Sequence, residues 1–180
     1  MIQTNIGYNK KYEIIWLVSE KRKFRNQNTG NVKLNDFTWY EFLPFEYGKA
    51  TRISTGTYNQ ELSYNVYYRT NKKPEYLVLA ENLSTKVNNY IDLEKIYLED
   101  DEKITEIKIK YGDVSVYFAE EEKPQIYMKL KEDLTENQEV RNTTILEGKH
   151  NDYKICDEDE VTTIIRENKP EPKKLPRTGF

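Results

Sequence analysis

Cysteine and histidine each occur once in these 180 residues, as Cys156 and His150. A single thiol excludes an internal disulfide framework. A single imidazole excludes a metal site built on several histidines. Only seven glycines occur, spread singly, so the chain has no glycine-rich phosphate loop. No apolar run approaches the roughly 20 residues of a membrane helix. The opening "MIQTNIGYNKKYEIIWLVSEKRK" holds only a short apolar run, Ile14 to Val18, between charged flanks. A secretory signal needs a longer apolar region and small residues at its cut site. Charge of one sign is missing as well. Lysine and arginine number 28 against 31 acids and are scattered between them, for a net charge of −3. That pattern lacks the one-sided basic footprint of a nucleic-acid binder.

What is present is aromatic and β-branched. Aromatics make up 13% of the chain, with fifteen Tyr against six Phe, although hydrophobic residues reach only 37%. Such a composition suits pleated sheets whose faces are half wet, and it argues against disorder through the body of the chain. Period-2 alternation runs through "YEIIWLVSE" (12–20), "NDFTWYEFLP" (35–44), "KATRISTG" (49–56), "LSYNVYYRT" (62–70) and "EYLVLAE" (75–81). In the fourth of these, Tyr64, Val66 and Tyr68 face one way and Asn65, Tyr67 and Arg69 the other. The stretch 82–103 reads as a loop feeding a strand. "ITEIKIKYG" (104–112) and "DVSVYFAEE" (113–121) read as two strands joined by a tight turn at "YGD". "QIYMKLK" (125–131), "EVRNTTILEG" (139–148) and "EVTTIIRE" (160–167) bring the total to about ten strands. The expected class is all-β, an antiparallel β-sandwich of immunoglobulin-like or related type, over residues 1–167. From Asn168 the alternation stops. "NKPEPKK" (168–174) has no apolar residue to order it, and Pro170 and Pro172 favour an extended spacer.

Catalytic constellations are thin. A Cys–His pair here means Cys156 with His150, six residues apart around the turn-like "HNDYK", with no oxyanion hole in view. They read as a surface histidine and a half-buried thiol. "CDEDEV" (156–161) offers Asp157 and Asp159 as a fragment of a calcium loop, without its glycine turn, and reads as a solvated acidic turn. Trp16, Trp39 and the tyrosines offer material for a sugar-stacking platform. Their strand spacing makes inter-sheet core the better reading. No cofactor or metal is expected.

The end of the chain is more specific. Leu175-Pro176-Arg177-Thr178-Gly179 has four fixed positions that would recur by chance roughly once per 10⁵ positions. It is the last feature of the chain, behind the Pro/Lys spacer. This peptide resembles the LPxTG sorting signal of Gram-positive cell-wall surface proteins. The resemblance implies recognition of Leu175, Pro176, Thr178 and Gly179 by a membrane-bound sortase, with Arg177 as the free position. It further implies cleavage between Thr178 and Gly179, and amide linkage of Thr178 to peptidoglycan. The peptide suits that role. Pro176 fixes its own φ and biases Leu175 to extended geometry, and Gly179 leaves room for a nucleophile.

The body, from "NVKLNDFTWYEFLPFEYGK" through "NTTILEG" to "EVTTII", resembles the repeat-type β-sandwich domains of clostridial and related wall proteins over about residues 12–167. That likeness implies a non-catalytic stalk or adhesion module with a host or matrix ligand of unknown identity. The alternative is a surface-displayed carbohydrate-binding or glycan-active domain. Some wall-protein domains of similar architecture carry an acid-catalysed Lys–Asn isopeptide bond; lysines such as Lys11 and asparagines such as Asn142 supply pairs, among which the sequence does not choose. The family's signal is followed by an apolar span and preceded by a secretion signal. The expectation is therefore a piece of a longer precursor, its first 11 or so residues a remnant of an upstream domain.

Overall fold

Strict apolar–polar alternation gives a strand one face for water and one for a core, and two such sheets close by burying their apolar faces on each other. The computed structural model describes residues 3–8, 14–17, 26–135 and 137–167, with side chains described from residue 26 to 165. Among these residues the protein is almost entirely β, in sheets packed together as a sandwich. The larger sheet runs edge to edge as β1 (Gln3–Tyr8), β13 (Tyr153–Glu167), β12 (Glu139–His150), β3 (Leu34–Phe42), β9 (Ile104–Val114), β6 (Ser63–Thr70) and β7 (Leu77–Ser84). Its pairs are antiparallel except β1 with β13, which is parallel. The smaller sheet is β2 (Ile14–Leu17), β11 (Gln125–Leu130), β4 (Gly48–Ser54) and β8 (Tyr90–Asp92). A short ribbon pairs β5 (Thr57–Tyr58) with β10 (Glu120–Glu122).

The core lies between the sheets. Trp39, Val66, Ile107 and Ile109 from the larger sheet meet Ile53, Ile126 and Met128 from the smaller, all at most 1% exposed. Each buried side chain of this size is worth roughly 1.5–3 kcal/mol. At one end a tyrosine cluster closes the sandwich. Tyr58 stacks on Phe118 with centroids 4.9 Å apart, and its hydroxyl bonds that of Tyr111. Burial drives both phenols well above their ordinary pKa, so both stay neutral.

Four sequence readings are corrected. "YGD" is no hairpin: β9 runs through it to Val114, and Gly112, at φ +78, sits opposite a β-bulge at Asn35–Phe37. The expected strand 113–121 is instead the end of β9, a turn at Tyr117 and the short β10. The segment 82–103 completes β7, then holds β8 and a single 3-10 turn, Leu93–Lys95, capped by the Asp92 side chain. Finally, "CDEDEV" is not a turn. Asp157–Glu160 lie inside β13, in register with Leu146–Thr143 of β12. The turn comes earlier, at Asn151–Asp152, where Asn151 takes φ 53.

Candidate functional site

The pentapeptide Leu175–Gly179 and the segment 168–174 before it lie outside the described residues, beyond the end of β13 at Glu167. The described candidates are not brought together. Cys156 is exposed and pairs in register with Glu147, while His150 Nδ1 lies 3.1 Å from the carbonyl oxygen of Lys33. Burial, then the Glu147 charge, pushes the Cys156 thiol up, away from a reactive thiolate. Because β13 is extended, its acids alternate between faces, and no cluster able to hold a metal ion occurs among the described residues. Trp39 is fully buried and so belongs to the core; the side chain of Trp16 lies outside those described. Asn142 is 4% exposed, and its carboxamide nitrogen donates to the buried carboxylate of Glu41. Lys11 lies outside the described residues.

The most developed polar feature is on the outer face of the larger sheet. Pairing register places side chains in rows across the strands. One row is Glu158, Ile145, Tyr40, Lys108 and Tyr67, and its neighbour is Cys156, Glu147, Thr38, Lys110 and Asn65. A groove of about 220 Å³ opens along these rows, lined by Asp36, Thr38, Tyr40, Glu147, Gly148 and Lys108, Lys110, Lys149 and Lys154. The bulge in β3 exposes Asn35 and Asp36 together and holds Asp36 at φ 52. Its carboxylate then sits 3.2 Å from the Lys149 ammonium and 3.4 Å from that of Lys110. The hydrogen bond from Lys149, then the Lys110 charge, hold the Asp36 carboxyl below its ordinary range.

Lys108 is placed differently. Its ammonium lies 3.5 Å from the Tyr76 ring centroid and 4.7 Å from that of Tyr67. It makes no ion pair among the described residues. The nearest acid on that side, Glu106, is taken up by Arg69 and by the Tyr76 hydroxyl. Burial, then repulsion from Lys110, lowers the Lys108 pKa. Burial, then the Glu147 charge, raises that of Tyr40, so its hydroxyl stays a donor.

Searches for a matching family model, curated protein or solved structure found none.

Sequence reasoning missed this groove. Its signal is partly visible, because the alternation of β6 puts Tyr67 and Arg69 on the face opposite Tyr64 and Val66. Lys108 and Lys110 alternate with Ile107 and Ile109 in the same way. What the sequence does not display is the register that sets Lys108 between Tyr40 and Tyr67, or the bulge that delivers Asp36. Chemically the arrangement offers ammonium and hydroxyl donors beside two carboxylate acceptors. That set of donors and acceptors can hold a polar ligand.

Proposed function

We propose that this chain is a non-catalytic cell-surface stalk or adhesion module, attached covalently to peptidoglycan by sortase at Leu175–Gly179. The observation that carries this reading is the pentapeptide itself, set behind the spacer 168–174. The spacer lets the scissile Thr178–Gly179 bond enter a groove without unfolding the sandwich. A sortase cysteine thiolate attacks the Thr178 carbonyl and expels the Gly179 amine. An amine of the peptidoglycan precursor then displaces the thiolate, leaving Thr178 in a new amide. Localisation at the cell wall follows from that linkage.

Incubation with a sortase and a labelled amine tests the reading. Label is expected on Thr178, with loss of Gly179–Phe180 and no transfer to the Thr178→Ala variant. Absence of transfer, or transfer that survives this substitution, refutes it.

A further inference from the structure

We propose that the outer-face groove beside Lys108 binds a uronic-acid unit of a polysaccharide, its carboxylate on the Lys108 ammonium and its hydroxyls on Asp36 and Glu147. This goes beyond wall attachment and does not depend on it, since every residue involved lies in the folded sandwich.

Charge is the first argument. The chain carries a net −3, yet the groove gathers four lysines against two carboxylates. Asp36 is shared by Lys110 and Lys149, and Glu147 is paired with Lys154 at 2.5 Å. Lys108 is the ammonium left over. The rings of Tyr67 and Tyr76 meet its charge through their faces but offer its three N–H donors no lone pair. It is fixed in place, partly desolvated and without an acid, which is how a receptor for one carboxylate is built.

The remaining lining narrows the class of ligand. Carboxylates at Asp36 and Glu147 repel a densely charged phosphate chain, whereas they accept hydrogen bonds from sugar hydroxyls. Thr38 and Tyr40 add hydroxyls of their own. A peptide laid on as an extra strand has no purchase here, because β12, β3, β9 and β6 are interior strands paired on both sides. A pyranose ring with one carboxylate and several hydroxyls satisfies all of these constraints. A groove of about 220 Å³ has the scale of one such ring rather than of a long oligomer.

The experiment uses the full chain and three probes: tetragalacturonate, the neutral galactose tetrasaccharide and a DNA duplex, each titrated by NMR and calorimetry. Tetragalacturonate is expected to bind with shifts centred on Tyr40, Lys108 and Lys110, and to weaken as salt rises. Lys108→Met keeps the stem between the tyrosines and should weaken binding by roughly ten- to a hundredfold, the loss of one charge-assisted hydrogen bond. Lys110→Met, with Lys110 more exposed and already paired, should weaken it less and serves if the first variant does not fold. Lys103→Met, outside the groove, should leave it unchanged. No binding at millimolar tetragalacturonate overturns the proposal, as does equal binding of the neutral sugar. Tighter binding of DNA would make the face a general polyanion surface and overturn it too, as would indifference to both groove variants.

Discussion

The indole nitrogen of Trp39 donates to Thr144 Oγ1 over 2.6 Å, between two side chains that are both fully buried. The same hydroxyl reaches the Tyr40 carbonyl at 3.1 Å, so one threonine ties β12 to both a side chain and the backbone of β3. Thr144→Val keeps the shape and removes the hydroxyl, leaving the indole N–H buried without an acceptor. The expected cost is about 1–3 kcal/mol. It appears in chemical denaturation as a lower midpoint with an unchanged slope. In a Trp39→Phe background the same change should cost measurably less, because the orphaned donor is gone. Equal costs in both backgrounds would assign the effect to packing instead.

Two glycines separate strain from collision. Gly56 and Gly112 both take positive φ, +71 and +78. A Cβ on Gly56 would come within 2.3 Å of the Glu122 carbonyl oxygen, whereas one on Gly112 meets nothing within 4 Å. Gly112→Ala therefore carries only the left-handed strain of about 1–2 kcal/mol, offset in part by a stiffer unfolded chain. Gly56→Ala adds a backbone clash and should cost more than about 2 kcal/mol. Thermal unfolding of the two variants side by side reads the difference. A Gly112 variant as damaged as its counterpart would contradict the open space seen around it.

Glu102 gives the protein a stability that depends on acid. Its carboxylate accepts from the Glu99 backbone N–H at 3.0 Å, the Thr70 hydroxyl at 2.7 Å and the Lys73 ammonium at 3.2 Å. The backbone bond, then the Thr70 and Lys73 bonds, hold its pKa down at about 2. A depressed carboxyl contributes stability that is present above the unfolded-state value and lost as pH falls through the folded one. That window runs from the ordinary glutamate value of 4.5 down to about 2. Glu102→Gln should be less stable than the parent at neutral pH, and the gap should close through this window. Denaturant midpoints measured across it test the assignment, and a constant gap would sink it.

The β class was legible because alternation is local: Tyr64 and Val66 turn inward and Asn65 turns outward as "LSYNVYYRT" predicts. Where the reading failed, the deciding contact was distant. "YGD" has the residues of a hairpin turn, but β3 holds β9 extended through it, pairing Phe37 with Gly112 and Leu34 with Val114. The acids of 157–160 look like solvent-exposed turn material. They are strand residues because Leu146, Ile145, Thr144 and Thr143 of β12 offer them a ladder. The β1 pairing covers only Thr162–Glu167 of β13, so the charges at 157–160 also discourage another chain from adding beside that stretch. The groove was hidden for the same reason, since a lysine between two tyrosines on three different strands has no spacing in sequence.

Asn142 and Glu41 make the last prediction. Two polar side chains, 4% and 1% exposed, face each other across the β12–β3 ladder with the carboxamide nitrogen donating to the carboxylate. A hydrogen bond to a charged group is worth about 1.5–3 kcal/mol, and removing its donor takes that bond from a buried carboxylate. Asn142→Ala should therefore destabilise by about 2 kcal/mol or more, and the Glu41→Ala, Asn142→Ala double variant should recover part of that loss. The intact mass of the denatured parent adds the chemistry. Were a lysine amine to attack the Asn142 carboxamide, with Glu41 relaying the proton, one amide would form and one ammonia would leave. A parent lighter than its sequence by one ammonia, with full mass in both Glu41→Ala and Asn142→Ala, would make the pair the seat of a covalent brace. Full mass in the parent would leave the hydrogen bond to account for the whole loss, and a double variant as weak as the single would deny the pair any coupling.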